Sequence, residues 1–529
     1  MYDWLITNAE ILDGSGAEAV RGDVALKDGS IAAVGQLSDA GARHTLDAAG
    51  KTLTPGFLDV HRHGDAALFR PDYGKAELAQ GLTTVINGNC GMSCAPVTAA
   101  HAPEILRYLA PITGEMPAGA PFRTMNEYFR RAAEVPLRLN AGILAGGGVL
   151  RADAAGFAEG PLSGEQLHTL HTLLEEALGA GALGVSLGLG YAPECFYTTE
   201  ELIRALEPLK NSGTVIAVHM RQEGDGVAEA LEEMLTVARA LRTPVEISHL
   251  KSIGKRNWRS VTPKMLRMIT RAREEGLDVS CDVYPYTAGS TQLIHVLPPE
   301  FQSGGTEALT ARLRDPGERA AMRARMESGS DFENITLLVG FENVRATGLR
   351  TAEYAPFEGK SVAEVAQAQG KDPFDALFDL LAAEHCAPSM IDFITAEEDI
   401  ADILRTPFAS VISDAIYPSA GLLHPRVYGM TAHLLEHFVR ETHTLTLAQA
   451  VNRLTRRPAD RYGLVRKGRV EPGADADLLV FDPQAVHECG TYARPDQYVR
   501  GFETVFVNGV PAIENGAFTG AAAGSLLRR

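Results

Sequence analysis

Along the middle of the chain, eight short apolar runs end in polar or glycine-rich residues: TPGFLDVHRH, LTTVINGNC, LNAGILAGG, ALGVSLGLG, TVIAVHMR, PVEISHLK, LDVSCDVYPY and ASVISDAIY. The stretches between them place apolar residues at intervals of three and four and often stop at Gly, as in EQLHTLHTLLEEALGAG and PKMLRMITRAREEG. Strand-like runs alternating with helical periods are βα units, and eight of them close a barrel. The predicted fold class is therefore α/β, a (β/α)8 TIM-like barrel over residues 57–467. The two chain ends have another texture. DWLITNAEILDG, DVALKDGSIAAVG and HTLDAAGKTLTPG near the start, and GADADLLVFD and GFETVFVNGVPAIENG near the finish, alternate polar and apolar residues between turn formers. Residues 1–56 plus 468–529 are expected to form one small discontinuous β-sandwich. The seventh unit is long: between Tyr286 and the eighth run lies the charged helical stretch RLRDPGERAAMRARMESG, and residues 288–350 read as an inserted subdomain near the barrel mouth.

With 529 residues, 45% hydrophobic and 22% charged, the chain has material for a barrel and a lobe, and global disorder is excluded. Lys plus Arg is 49 against 67 Asp plus Glu, a formal charge of −18, which argues against nucleic acid or an anionic membrane surface as partner. Any anionic ligand must be met by locally placed cations. The start, MYDWLITNAEILDGSG, has no basic or apolar leader pattern, no run approaches a membrane span, and a cytoplasmic location is expected. The six cysteines, spread over this length, do not resemble a disulfide framework, so a functional cysteine is expected as a thiol or a ligand.

Chemistry gathers at the strand ends. On the first strand, DVHRH, alternation points His61 and His63 to one face and Arg62 away from it. Cys90 ends the second run, His219 the fifth, His249 the sixth and Asp414 the eighth, all at C-terminal ends, where a barrel collects its active site. Imidazole, thiolate and carboxylate in one mouth indicate zinc rather than magnesium or calcium. Asp414 reads either as a cap of the following loop or as the catalytic carboxylate, and a zinc-water site needs one such base. Cys94 lacks CxxC spacing, and the glycine stretches at 146–148 and 187–191 lack the lysine and hydroxyl of a P-loop.

These blocks, with GALGVSLGLGYAP, AVHMRQEG, ISHLKSIGKRNW, DVYPYTAGST and HPRVYG, make the chain resemble the N-acyl-D-amino-acid deacylases, or D-aminoacylases, of the amidohydrolase superfamily over nearly its whole length. The resemblance implies a tightly held zinc on Cys90, His219 and His249, with His61, His63 and Asp414 near a second, weaker metal position. It also implies that Lys251, a tyrosine of YPY (Tyr284 rather than Tyr286) and Arg426 hold the α-carboxylate of a small N-acyl-D-amino acid. Arg426 offers a bidentate fork and Lys251 a point charge; alone both would read as solvated strand-end charges, and their adjacency to His249 and Asp414 favours the clamp. The fourth run, GVSLGLG, lacks the lysine that many superfamily relatives carboxylate to bridge two metals, which fits a thiolate in that place.

Three positions depart from the family pattern: Gly147 where a His is usual, Met430 after HPRVYG where a Thr is usual, and Arg62 where a small or polar residue is common. The activity implied is zinc-dependent hydrolysis of N-acyl-D-amino acids, with Asp414 as general acid and base. The rival readings are a cyclic-amide or lactone hydrolase of the same superfamily and a catalytically silent ligand-binding homologue. Oligomeric state is not legible.

Overall fold

The eight apolar runs become eight parallel strands in a computed structural model that describes residues 1–37, 40–98 and 100–529. In order they are Phe57–Asp59, Leu82–Asn87, Asn140–Ile143 continued by Ala145–Gly146, Gly184–Gly188, Val215–His219, Val245–Ile247, Val279–Val283 and Ala409–Val411. Each pairs with its sequence neighbour, and the third joins the two halves, one segment pairing with the second strand and the other with the fourth. The ring closes between the eighth strand and the first. There Arg62 bridges to Ala415 in parallel, the His63 N–H donates to the Ala415 carbonyl at 2.9 Å, and the Asp414 N–H donates to the His61 carbonyl at 3.0 Å. Barrel and crossover helices share one core, from Phe57 and Val85 through Leu231, Met265 and Ile412.

Local chemistry starts the helices where the sequence turns polar. Ser163 caps Gly164–Ala180 and Thr198 caps Thr199–Ala205, each accepting from a backbone N–H while a Gln or Glu three residues on reaches back. Among the described residues no helix is long and apolar enough to cross a membrane.

The insertion runs further than residue 350. Its antiparallel sheet has Ser389–Phe393 as the central strand, flanked by Ala288–Gln292 and Val344–Thr347, and its own apolar core extends to Ile394. The helices Val362–Gln369 and Pro373–Ala383, whose periodicity matches that of barrel crossovers, pack their apolar faces into this second core. Periodicity gives a helix its apolar face but not the neighbour that face will meet.

Both chain ends build the small lobe. Its first strand, Tyr2–Ile11, pairs on one edge with Val20–Lys27 and on the other with Ala42–Asp47 and then Thr52–Pro55. Leu478–Phe481 from the far end pairs antiparallel with Thr52–Pro55, over a core of Ile6, Val24, Leu53, Leu478 and Phe506. The last residues leave the lobe, and Ser525 and Leu527 bond the backbone of Ala141 on the third barrel strand.

Arg62 does point away from the site, as alternation requires, into a closed network. Fully buried, it donates to Asp59 at 2.8 Å, to Glu77 at 2.7 Å and to the Tyr417 hydroxyl. Asp59 in turn accepts the Ser413 N–H at 3.1 Å, so the network ties the first strand to the eighth. Arg62→Met should destabilise the fold by about 3–5 kcal/mol, because it leaves two buried carboxylates without their cation. Urea unfolding measures this, and an unchanged midpoint would show that Asp59 and Glu77 are neutralised some other way.

Candidate active site

Strand geometry alone would leave the six strand-end side chains spread around the mouth, and a local backbone twist turns three of them inward. Cys90 (φ 52°), His249 (φ 36°) and Asp414 (φ 53°) all occupy the left-handed region, which a side chain with a Cβ adopts only where its surroundings enforce it. The enforcing contacts are visible. The His249 N–H donates to the Asp282 carboxylate, the Asp414 N–H to His61, and Asp65 accepts the Gly88 and Cys94 N–H groups on either side of Cys90.

The result is two overlapping ligand sets that share Cys90. One is Cys90, His219 and His249, and the other is His61, His63, Cys90 and Asp414; within each set the ligand atoms lie within 4.8 Å of one another, and all these residues are buried. The thiol sulfur is 3.4 Å from His249 Nε2 and 3.2 Å from His61 Nε2, while His219 Nδ1 is 3.0 Å from His249 Nε2. On the other side, Asp414 Oδ1 is 3.2 Å from His63 Nε2 and 3.4 Å from His61 Nε2. Two imidazoles and a sulfur converging on one buried point suit zinc, whose protein ligands are thiolate and imidazole.

Electrostatics agree with this fit. Burial pushes the Cys90 thiol up to about 11 against the pull of His61, so a cation at this point is what would hold it as thiolate. Burial also drives His219 and His249 well below the ordinary histidine range, keeping both rings neutral and able to ligate. Burial alone would raise Asp414, but Arg426, His63 and His61 outweigh it and hold the carboxyl well below the usual carboxylate range.

Three supporting residues escaped the sequence reading although each lies in a quoted block. Glu223, four residues after His219, accepts from His249 Nδ1 at 2.9 Å and turns the ring's other nitrogen to the site. Asp282, two residues before Tyr284, places a carboxylate oxygen 3.5 Å from His61 Nδ1, a charge contact behind that ring rather than a hydrogen bond. The Tyr191 hydroxyl is 3.2 Å from His219 Nδ1, with the two rings packed at 4.3 Å. Each partner comes from a strand end or loop far in sequence from the ring it faces, so no local spacing signals it.

The expected substrate clamp is assembled but engaged. Lys251 lines the cavity, with its ammonium 2.6 Å from Glu223 and 5.7 Å from the Tyr284 ring centre. Tyr284 also lines the cavity, whereas the Tyr286 hydroxyl donates to Glu488 outside it. Arg426 is fully buried behind Tyr284, its guanidinium carbon 4.6 Å from the ring centre, and its Nη2 bonds Asp414 at 3.0 Å and the Ser290 carbonyl at 3.1 Å. Its Nε and Nη1 have no partner among the described residues. The insertion contributes His295, Glu333 and Asp392 to the wall of this cavity.

Fold and site together are those of a metal-dependent hydrolase: the chain belongs to the amidohydrolase family, whose sequence model matches residues 44–512. Within that family it groups with the N-acyl-D-amino-acid deacylases. It is 32% identical to a D-aminoacylase of Alcaligenes xylosoxydans xylosoxydans over all of this chain and 98% of that one, and 32% identical to an N-acyl-D-aspartate deacylase of the same organism over 98% of this chain and 93% of that one. An N-acyl-D-glutamate deacylase from Bordetella bronchiseptica, solved with zinc and a phosphonate mimic of the tetrahedral intermediate, superposes with a TM-score of 0.84 at 31% identity, each chain fully covered. Hydantoinases share the fold, with a TM-score of 0.58 at 16% identity for an L-hydantoinase from Arthrobacter aurescens over all of both chains.

Gly147, where the family usually carries His, leaves no hole. A Cβ there would lie 2.5 Å from Glu194 Oε1 and 2.8 Å from Leu187 Cδ2, so the buried Glu194 carboxyl takes the room a side chain would need. Glu194 accepts the Gly188 N–H at 2.6 Å beside the Cys90 loop, and burial pushes it up to about 8. A group raised in the fold from an ordinary ~4.3 favours folding most below that value and loses this advantage as pH rises toward 8. Glu194→Gln keeps the acceptor without the ionisation. Its melting temperature should therefore gain on the parent's between pH 5 and pH 8, and parallel curves would show that Glu194 does not titrate there.

Proposed function

We propose that this protein is a zinc-dependent deacylase that hydrolyses N-acyl-D-amino acids to a carboxylate and the free D-amino acid. The observation that carries the reading is the shared Cys90 thiol between two ligand sets, directly beside the cationic and phenolic groups of Lys251, Tyr284 and Arg426. Zinc, when bound, supplies a Lewis acid for the scissile carbonyl and lowers the pKa of its water toward ~7. Cys90, His219 and His249 would hold it, and His61, His63 and Asp414 would serve a second, weaker position beside them. A D-aminoacylase of similar structure, with a TM-score of 0.84 at 31% identity, has a binuclear metal centre.

Asp414, kept ionised by Arg426 and His63, accepts the water's proton and returns it to the leaving amine, which would otherwise depart very poorly. Lys251 and Tyr284 receive the α-carboxylate at the cavity wall, with Arg426 behind them. Fixing that carboxylate and the acyl carbonyl at two points leaves one direction for the side chain and hence one handedness. These cations also separate the reading from a cyclic-amide or lactone hydrolase, whose substrates need no carboxylate clamp. All six cysteines are unpaired, which suits the reducing cytoplasm in which we place the protein.

A panel of N-acetyl-D- and N-acetyl-L-amino acids scored for free amine tests this function. Turnover is expected for the D series alone, and release from L substrates, or from cyclic amides only, would refute it. Separating metal from proton transfer takes two variants. Cys90→Ala should lose most of its zinc by elemental analysis. Asp414→Asn should keep zinc while kcat falls at least ~10²-fold; a metal-free Asp414→Asn protein would make Asp414 a primary ligand.

A further inference from the structure

The cavity has a wall that the deacylation chemistry leaves unused. Ile253, Ile335 and Ile394 line it together with Glu333 and Asp392. These residues adjoin one another. Glu333 Oε2 accepts the Glu223 N–H at 2.7 Å, the Ile253 N–H donates to the Glu223 carbonyl at 2.7 Å, and the Ile335 N–H donates to the Glu333 carbonyl at 3.0 Å. A Cβ on Gly289 would lie 2.9 Å from Ile394 Cδ1 and 3.0 Å from Asp392 Oδ1, which sets those two side chains together.

Asp392 is only 2% exposed, and its Oδ1 has no hydrogen-bond partner among the described residues. A buried carboxylate oxygen without a partner is costly, so its position on a cavity wall points to a group arriving from outside. Charge indicates which kind. Glu333 and Asp392 share the cavity lining with the single ammonium of Lys251, which is already paired to Glu223 at 2.6 Å, while Arg426 is held by Asp414. Lys251 is the one Lys or Arg on the cavity lining among the described residues. Once Lys251 turns to the substrate's α-carboxylate, no lysine or arginine on the described lining remains to offset the acids on this wall.

Building on the deacylase reading, we infer that this wall is the subsite for a cationic D side chain. The three isoleucines pack along an apolar stem, and Glu333 and Asp392 receive a terminal ammonium or guanidinium, as on D-lysine, D-ornithine or D-arginine. The same surplus of acid opposes the second carboxylate of an N-acyl-D-aspartate or N-acyl-D-glutamate. The chain therefore parts in substrate class from its relatives named for those two acids.

The test compares kcat/KM of the zinc-loaded enzyme for N-acetyl-D-lysine, for N-acetyl-D-norleucine, which has the same stem without the charge, and for N-acetyl-D-glutamate. Lysine should exceed norleucine by about tenfold, the worth of one modest charge contact, with glutamate lowest. In the double variant Glu333→Gln/Asp392→Asn the lysine-to-norleucine ratio should fall toward one. Because both rates come from the same sample, a general loss of folded or metal-loaded enzyme cancels. A parent enzyme that prefers norleucine or glutamate to lysine, or an unchanged ratio in the double variant, overturns the subsite. Norleucine turnover without a lysine preference would do so while leaving the deacylase reading standing. No amine from any N-acetyl-D-amino acid would defeat the deacylase reading itself.

Discussion

The seam between the first and eighth barrel strands is the constraint on which the rest of the structure hangs. Two backbone hydrogen bonds, Asp414 to His61 and His63 to Ala415, close the ring, and the same four residues carry half of the candidate metal ligands. Closure of the barrel and assembly of the site are therefore one event. The Arg62 network behind the seam makes it stiff, since Asp59 reaches both Arg62 and the backbone of Ser413. The left-handed backbone at Asp414 is tolerable because that hydrogen bonding leaves it little alternative.

From the seam inward, the site is a problem of charge balance in a buried space. Cys90, Asp414, Glu223, Glu333 and Asp392 supply potential negative charge, and Lys251 and Arg426 supply the protein's positive charge. Such a set is tolerable in low dielectric only with further cations, and a divalent metal meets that demand at the one point where neutral imidazoles also converge. The carboxylate behind His249 then has a second effect, because it makes that ring a stronger donor toward a metal.

What the sequence made legible was local. Strand ends, the HxH alternation, the outward turn of Arg62 and the placing of Cys90, His219, His249 and Asp414 in one mouth all follow from periodicity and from the rule that barrels gather chemistry at C-terminal strand ends. What it hid was long-range packing. His295, Glu333 and Asp392 reach the cavity because an insertion folds around its own core, and no spacing in the chain encodes that approach. The later helices of the insertion pose the same difficulty, since they have the periodicity of barrel crossovers yet pack into its core. Gly147 shows a third case. A missing side chain suggested a missing contact, but Glu194, from the next βα loop, occupies the room.

The lobe built from both chain ends has a consequence for biosynthesis. Thr52–Pro55 waits for Leu478–Phe481, which leaves the ribosome roughly four hundred residues later, at a pace of seconds per few dozen residues. Through most of translation the first strands hold an open sheet edge, while the barrel they introduce is still incomplete. The nascent chain thus carries an unpaired β template until Leu478–Phe481 arrives. Emergence of Leu478–Phe481, rather than of any barrel unit, is the moment at which this edge of the lobe can be covered.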